Sequence, residues 1–285
     1  MGAICGCYNF KDSESFIKLV FTTTCLDNLT YQQLELIIAS KTKGGKDIII
    51  LETFRLIMNE IYQEKYQKWN VIDYNSNSNE KEYKGKPIIP NNRYRAELKK
   101  VFDDDFFNLI NQNNITNNYI VRLILCPFVL KESDPNLKSK SDYFFRCLQN
   151  INFEESSDIL SHDKIDFKHF NSTMLFYLCC VLILYSTKML TIMKETGASR
   201  EIIEDLDYHC KDFFQKEVIN SYFSKIINDY LSNLNYADID INTYLISSDD
   251  FYKIVQSSPQ LLDYWSLRSH FLNYAYSYKN AIETE

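Results

Sequence analysis

The sequence predicts an all-α protein, and three observations lead to this prediction. Only 6 Gly and 5 Pro occur among 285 residues, which is too few for the many turns of a β-sandwich or barrel. Several stretches repeat apolar residues at the three- and four-residue spacing of an α-helix. A chain of this length also buries enough surface to hold a core without disulfide bonds. We therefore expect long helices around a reduced core.

The first half of the chain predicts four helices separated by polar loops. After the cap-type residues Asn28 and Thr30, Leu34 and Ile38 recur at helical spacing, and Gly44-Gly45 ends that helix. Helical patterns also cover residues 51–66, 95–111 and 119–129. The polar, turn-rich stretch 74–92 reads as a surface loop.

The second half begins after a predicted linker. Residues 131–141 are charged, polar and interrupted by Pro135, so we place a boundary there. Helical patterns follow, with Gly197 ending the longest helix and Ser199 capping the next; they cover 143–151, 167–195, 199 onward, 222–234 and 251 onward. Residues 235–250 read as a loop.

The longest apolar run covers residues 174–185, with polar residues on both sides. A membrane-spanning helix needs roughly 20 apolar residues, so this run is too short. It predicts a buried core helix instead.

A short pattern recurs after successive polar loops: an Ile is followed five residues later by a Phe that is expected to open a helix. The copies are Ile49/Phe54, Ile165/Phe170 and Ile246/Phe251, with Ile115/Ile120 as a weaker fourth. One interpretation is a generic helical bundle in which the pattern recurs by chance.

The other interpretation is a family resemblance. The repeat resembles the EF-hand, and the segment from Ser257 to Leu272 is similar to the region after the last hand in N-acylated, recoverin-like calcium sensors. The resemblance implies paired helix–loop–helix lobes whose central isoleucines meet in short β-bridges. It implies a head (1–13), a first lobe (14–135) and a second lobe (136–285).

The loops were compared with the ligand pattern of a calcium-binding EF-hand. The last loop offers the richest oxygen set: Asp238, Asp240, Asn242, Asp249 and Asp250. Its register is one residue too long, no Gly follows Asn242, and Asp replaces the closing bidentate Glu. The loop is either a weak calcium site or a solvated acidic loop, and the other loops predict no metal.

The N-terminus, MGAICGC, is similar to a dual-acylation signal, with myristate on Gly2 and palmitate on Cys5 and Cys7. One myristoyl chain binds membranes only marginally, so the cysteines would supply the second anchor. Gly6 departs from the signal, which usually has Ser or Thr there. The alternative is an unmodified start.

Charge and motif content bear on the remaining functional classes. The net charge of −7 and the scattered basic residues predict no nucleic-acid binding. Phosphate-binding glycine loops and the nucleophile elbow are absent from the sequence. His209 beside Cys210 was considered as a catalytic dyad, but neighbouring helical residues point about 100° apart. We therefore expect no enzyme and no cofactor beyond a weakly held calcium ion.

The sequence thus leads to a functional hypothesis with alternatives. We expect a non-catalytic adaptor on the cytoplasmic face of a membrane, held by its lipids and bound to a protein partner. The alternatives are a calcium-responsive sensor using residues 238–250 and a structural subunit of a cytoskeletal or ciliary assembly, located in the cytoplasm or cilium.

Overall fold

The fold is described from a computed structural model. It describes residues 17, 29–42, 49–61, 107, 118–130, 136–151, 164–196, 199–233 and 244–283. The predicted head, the loop 74–92 and most of the predicted helix 95–111 lie outside these residues, as do Gly2, Cys5 and Cys7.

Helices make up most of the described residues, which confirms the all-α prediction. They are α1 (Tyr31–Lys41), α2 (51–61), α3 (Asn118–Val129), α4 (Leu137–Gln149), α5 (Phe167–Cys179), α6 (Tyr185–Thr196), α7 (Arg200–Asp212), α8 (Lys216–Asn233), α9 (Ser248–Ser257) and α10 (Tyr264–Glu283). Two short strands, β1 (Lys164–Asp166) and β2 (Leu245–Ser247), precede α5 and α9. A π-helical turn (Cys180–Leu184) joins α5 to α6, and a 3-10 turn (Pro259–Leu262) precedes α10.

The start of α1 follows from its capping residues. Gln33 N donates to the Thr30 hydroxyl at 3.2 Å, and Thr30 N donates to the Gln33 side chain at 2.9 Å. This reciprocal capping box satisfies two backbone donors that the first helical turn would otherwise leave unpaired. The cap predicted at Thr30 is therefore confirmed.

Three predicted boundaries were wrong. Residues 137–141 of the predicted linker belong to α4, where Lys140 and Ser141 are buried. The helix predicted from residue 222 begins at Lys216. The loop predicted over residues 235–250 is too long, because residues 248–250 already belong to α9, which begins at Ser248. In each case polar residues obscured a helical turn that tertiary packing stabilises. Ser199 does occupy the N-cap of α7, but its side chain makes no capping hydrogen bond.

The apolar run lies within the helix predicted over residues 167–195, which the structure shows as α5, the π-helical turn and α6. Among the described residues, the stretch Phe167–Thr191 is the one helix long and apolar enough to cross a membrane by length and composition. The length and composition of this helix therefore do not by themselves exclude a membrane span. However, 61% of its apolar window is buried inside the protein, as in a core helix.

The two strands form an antiparallel pair with a defined register. Ile165 lies opposite Ile246, Lys164 opposite Ser247, and Asp166 opposite Leu245. An added bond from Phe167 N to Tyr244 O, at 3.0 Å, extends the pair. The bridge predicted between the copies of the repeat at Ile165 and Ile246 is therefore present.

The helices that flank the two strands pack against helices of the opposite unit. Helix α4 packs against α9, and α5 packs against α8. Helix α3 packs against both α1 and α4, so it connects the two halves of the chain. Their buried apolar side chains form one continuous core cluster.

Candidate functional site

The isoleucine and phenylalanine of the repeat occupy the same two positions at three helix starts. The Ile lies just before the N-cap residue, and the Phe is the fourth residue of the helix, in α2, α5 and α9. This is the spacing of the hydrophobic staple, in which an apolar residue before the cap packs against one in the first turn. The sequence pattern predicted that the Phe is the first residue of each helix. That prediction was wrong, because each helix begins three residues before its Phe. In the weaker copy, Ile120 is the third residue of α3, and Ile115 lies outside the described residues.

The two bridged copies also meet through their aromatic rings. Phe170 and Phe251 are fully buried, and their ring centroids lie 6.0 Å apart in an edge-to-face arrangement. Phe144 and Phe145 of α4 each stack on Phe251 at 5.7 Å. Such aromatic pairs add about 0.5–1.5 kcal/mol each beyond their buried area. The two units thus share one aromatic centre beneath the strand pair.

Two of the five predicted calcium ligands are described, and both carboxylates contact protein groups. Asp250 accepts from Ser247 N at 3.0 Å and from the Tyr230 hydroxyl at 3.0 Å. Burial raises the pKa of Asp250, but the Ser247 and Tyr230 hydrogen bonds and nearby Lys253 outweigh it and lower the pKa overall. Asp249 accepts from Lys138 Nζ at 2.7 Å. Asp238, Asp240 and Asn242 lie outside the described residues.

The carboxylate of Asp249 belongs to a surface network of ion pairs and hydrogen bonds between α4 and α9. Lys138 Nζ lies 2.7 Å from Asp249 and 3.0 Å from Asp142, and 4.9 Å from the Tyr252 ring centroid. The Ser248 hydroxyl also donates to Asp142. Within the described part of the chain, no group of three or more His, Cys, Asp or Glu side chains could hold a metal ion.

A second polar network joins α1, α3 and α4. Arg122 is 6% exposed and binds Glu35 in a two-pronged pair, Nε–Oε2 at 2.7 Å and Nη2–Oε1 at 2.9 Å. The Tyr143 hydroxyl donates to the same carboxylate at 3.0 Å. Burial raises the pKa of Glu35, yet the hydrogen bond and charge of Arg122 outweigh this and lower the pKa overall. The network fixes the first half of the chain against the second.

The face of the bridged unit that could receive a partner is covered by the chain itself. Leu261 and Leu262 of the 3-10 turn are buried, and Leu261 O accepts from the buried Tyr177 hydroxyl at 2.8 Å. Tyr264 packs edge-on against Tyr185 at 5.9 Å. A partner helix at this position would have to displace the C-terminal segment.

Three exposed aliphatic side chains lie on or next to α1 and α2. Leu36 of α1 is 70% exposed, and Ile50 and Leu56, before and within α2, are 54% and 55% exposed. Lys41 Nζ and Glu60 Oε2, 2.8 Å apart, hold the two helices together. Contiguous exposed apolar patches mark partner-binding surfaces, whereas single exposed apolar side chains are common on any protein.

Burial shifts the pKa of both His209 and Cys210 toward the uncharged form. Burial raises the pKa of the Cys210 thiol to about 11, with Arg268 opposing this effect. Burial also lowers the pKa of His209; Asp205 partly offsets the shift and Arg268 adds to it. A thiol protonated at neutral pH lacks the nucleophilic thiolate.

Sequence reasoning missed the polar contacts that join distant elements. Glu35 and Arg122 are 87 residues apart, and Ser186 and Arg268 are 82 residues apart. No local spacing signals such pairs. The predicted lipidation residues Gly2, Cys5 and Cys7 cannot be placed relative to these contacts, because they lie outside the described residues.

Comparison with known proteins adds no assignment. No protein-family model, curated protein or solved structure matches this chain.

Proposed function

We propose that this protein is a non-catalytic, EF-hand-like adaptor that binds a protein partner and is held at the cytoplasmic face of a membrane by N-terminal lipids. The observation that carries the proposal is the in-register pairing of Ile165 with Ile246 above the Phe170–Phe251 contact. Two helix–loop–helix units joined in this way bury each other's apolar faces, as paired hands do.

The surface proposed for the partner lies on α1 and α2. The C-terminal segment covers the bridged unit, whereas Leu36, Ile50 and Leu56 are exposed. An amphipathic helix with aliphatic residues on one face would bury them, which is the usual helix-in-groove mode of recognition. Charged substitutions here are expected to weaken binding without disturbing the core.

The membrane anchor is proposed from the sequence alone. Myristate on Gly2 and palmitate on Cys5 and Cys7 would together hold the chain at a bilayer, since one acyl chain gives only marginal binding. The intact mass of protein from eukaryotic cells should show one myristoyl addition, together with palmitoyl additions that hydroxylamine removes. An unmodified N-terminus would eliminate the membrane part of the proposal.

Affinity purification with matched variants tests the adaptor and the anchor separately. The wild-type chain is compared with a Gly2→Ala/Cys5→Ser/Cys7→Ser variant and a Leu36→Glu/Leu56→Glu variant. We expect the first variant to leave the membrane fraction and the second to lose its partner while staying at the membrane. Glu52→Gln, on the same helix as Leu56, serves as the surface control. Equal partner recovery by the wild type and the Leu36/Leu56 variant would contradict the proposed surface.

Calcium titration separates the adaptor from the sensor. An adaptor independent of calcium shows no binding heat at physiological calcium concentrations. Binding heat that disappears in an Asp238→Asn/Asp240→Asn variant would favour the calcium-responsive sensor instead.

A further inference from the structure

Arg268 of α10 is a buried cation that has no anionic partner within the part of the chain that the structure describes. It is 3% exposed, and its Nη1 donates to the Ser186 hydroxyl oxygen at 2.8 Å. Its guanidinium carbon lies 4.8 Å from the centroid of the Phe214 ring. Among the described residues, no carboxylate forms an ion pair with it, in contrast to Arg122. Arginine is rarely buried to this extent without a paired charge, because transferring its charge out of water is costly.

Ser186 adds a second donor at the same place. It is fully buried in α6 and directly follows Tyr185, the first residue after the π-helical turn. Its oxygen accepts from Arg268, and no acceptor for its own hydrogen occurs in the described part of the chain. Single π-helical turns in long helices are frequent at functional sites, because the extra residue redirects the side chains that follow.

His209 of α7 contributes a third group to this cluster. Its Nε2 lies 3.3 Å from the Tyr276 hydroxyl and 4.0 Å from Asp205, whereas its Nδ1 is buried and has no hydrogen-bond partner in the described residues. The Phe214 ring lies next to both groups, 6.3 Å from the His209 ring and 4.8 Å from the Arg268 guanidinium. Helices α6, α7 and α10 thus bring together the buried Ser186–Arg268 pair, which has no anionic partner among the described residues, and an imidazole whose buried Nδ1 has no hydrogen-bond partner there.

We propose that Arg268 and Ser186, with His209 beside them, form a binding site for a small oxyanion such as sulfate, phosphate or a short carboxylate. An oxyanion supplies the negative charge that the guanidinium lacks and accepts from several donors at once. The site is independent of the proposed adaptor surface, because it lies between α6, α7 and α10.

Calorimetric titration of the full-length protein with sulfate tests the site. Sodium sulfate is added in a chloride buffer of constant ionic strength, and sodium acetate is used in a parallel series to compare a tetrahedral oxyanion with a carboxylate. We expect one sulfate per chain with millimolar affinity, and Arg268→Met to weaken binding at least about tenfold, through loss of charge-assisted hydrogen bonds. Arg200→Met is the matched control, because Arg200 is exposed on α7 and paired with Glu204.

A second variant keeps the test decisive if Arg268→Met does not fold. Ser186→Ala leaves the guanidinium in place and should weaken sulfate binding by about threefold or more, through loss of one donor. The site is overturned if the wild type binds no sulfate in the millimolar range. It is also overturned if Arg268→Met or, where that variant does not fold, Ser186→Ala binds sulfate as tightly as Arg200→Met.

Discussion

At the scale of single residues, Arg122 illustrates how a buried charge is stabilised. Its guanidinium is almost fully enclosed, and it depends on Glu35, whose side chain is 41% exposed. Breaking an ion pair that has one buried partner destabilises a protein more than breaking a surface pair does, because the buried charge is left without compensation. The pair also joins helices that lie far apart in the sequence.

Glu35→Gln should therefore destabilise the protein. The neutral amide cannot balance the Arg122 charge, and we expect a loss of about 1–3 kcal/mol, since Glu35 is partly solvated. Urea denaturation measures the change. Glu204→Gln, which removes the exposed i,i+4 partner of Arg200, should cost less than about 0.5 kcal/mol. Equal losses in the two variants would contradict the structural role of Glu35.

The lowered pKa of the Glu35 carboxylate predicts that the stability of the folded protein depends on pH. The pKa of Glu35 in the folded protein lies below its ordinary value of 4.5, so the folded state binds this proton less readily than the unfolded state. The resulting stability is present above pH 4.5 and is lost as the pH falls through the folded pKa. Denaturation measured between neutral pH and about pH 3 should show a shallower acid loss in Glu35→Gln than in the wild type. An identical acid slope would count against the pair.

At the scale of secondary-structure elements, the Ile–Phe spacing has a local physical explanation. The Ile before the N-cap and the Phe in the first turn form the staple spacing that sets how the chain enters a helix. The same spacing therefore begins α2, α5 and α9 whether or not the units are paired. The β1–β2 bridge adds a contact between residues distant in sequence to the local staple spacing at each helix start.

The strand pair offers a matched test of the bridge. Ile246 is 1% exposed and faces the core, whereas its neighbour Leu245 is 38% exposed. Ile246→Ala should cost about 2–5 kcal/mol through the lost burial and the cavity left behind. Leu245→Ala should cost less than about 1 kcal/mol, because its side chain is partly in solvent. Thermal and urea unfolding measure both, and similar losses would show that the bridge does not anchor the core.

At the scale of the whole molecule, the C-terminal segment completes the core. Leu261, Leu262, Tyr264, Leu267 and Phe271 are all buried, although they follow the last bridged unit in sequence. Without them, apolar side chains of α3, α5 and α6 would face water. The segment thus acts as part of the fold rather than as an appendage.

Truncation should reveal this dependence. A chain ending at Ser257 is expected to lose its near-ultraviolet circular dichroism and to bind a hydrophobic dye, as a loosely packed state does. A chain ending at Asn280 removes only the exposed last turn of α10 and should unfold within a few degrees of the full-length protein. Full near-ultraviolet dichroism in the shorter chain would contradict the proposed role of the segment.

Local patterns in the sequence allowed much of the helical structure to be predicted. The cap at Thr30, the helical spacing of Leu34 and Ile38, and the Ile–Phe starts all depend on residues within one or two turns of each other. The polar beginnings of α4 and α8 were missed, because packing partners distant in sequence hold them in a helix.

The sequence by itself determined the helical class and the starts of α1, α2, α5 and α7, because spacing and capping act over a few residues. Only the tertiary structure decided that Ile165 meets Ile246, that Glu35 balances Arg122, and that Arg268 is buried beside Ser186. These contacts join residues more than 80 positions apart, and the folded core selects them by side-chain packing, which no periodic pattern encodes.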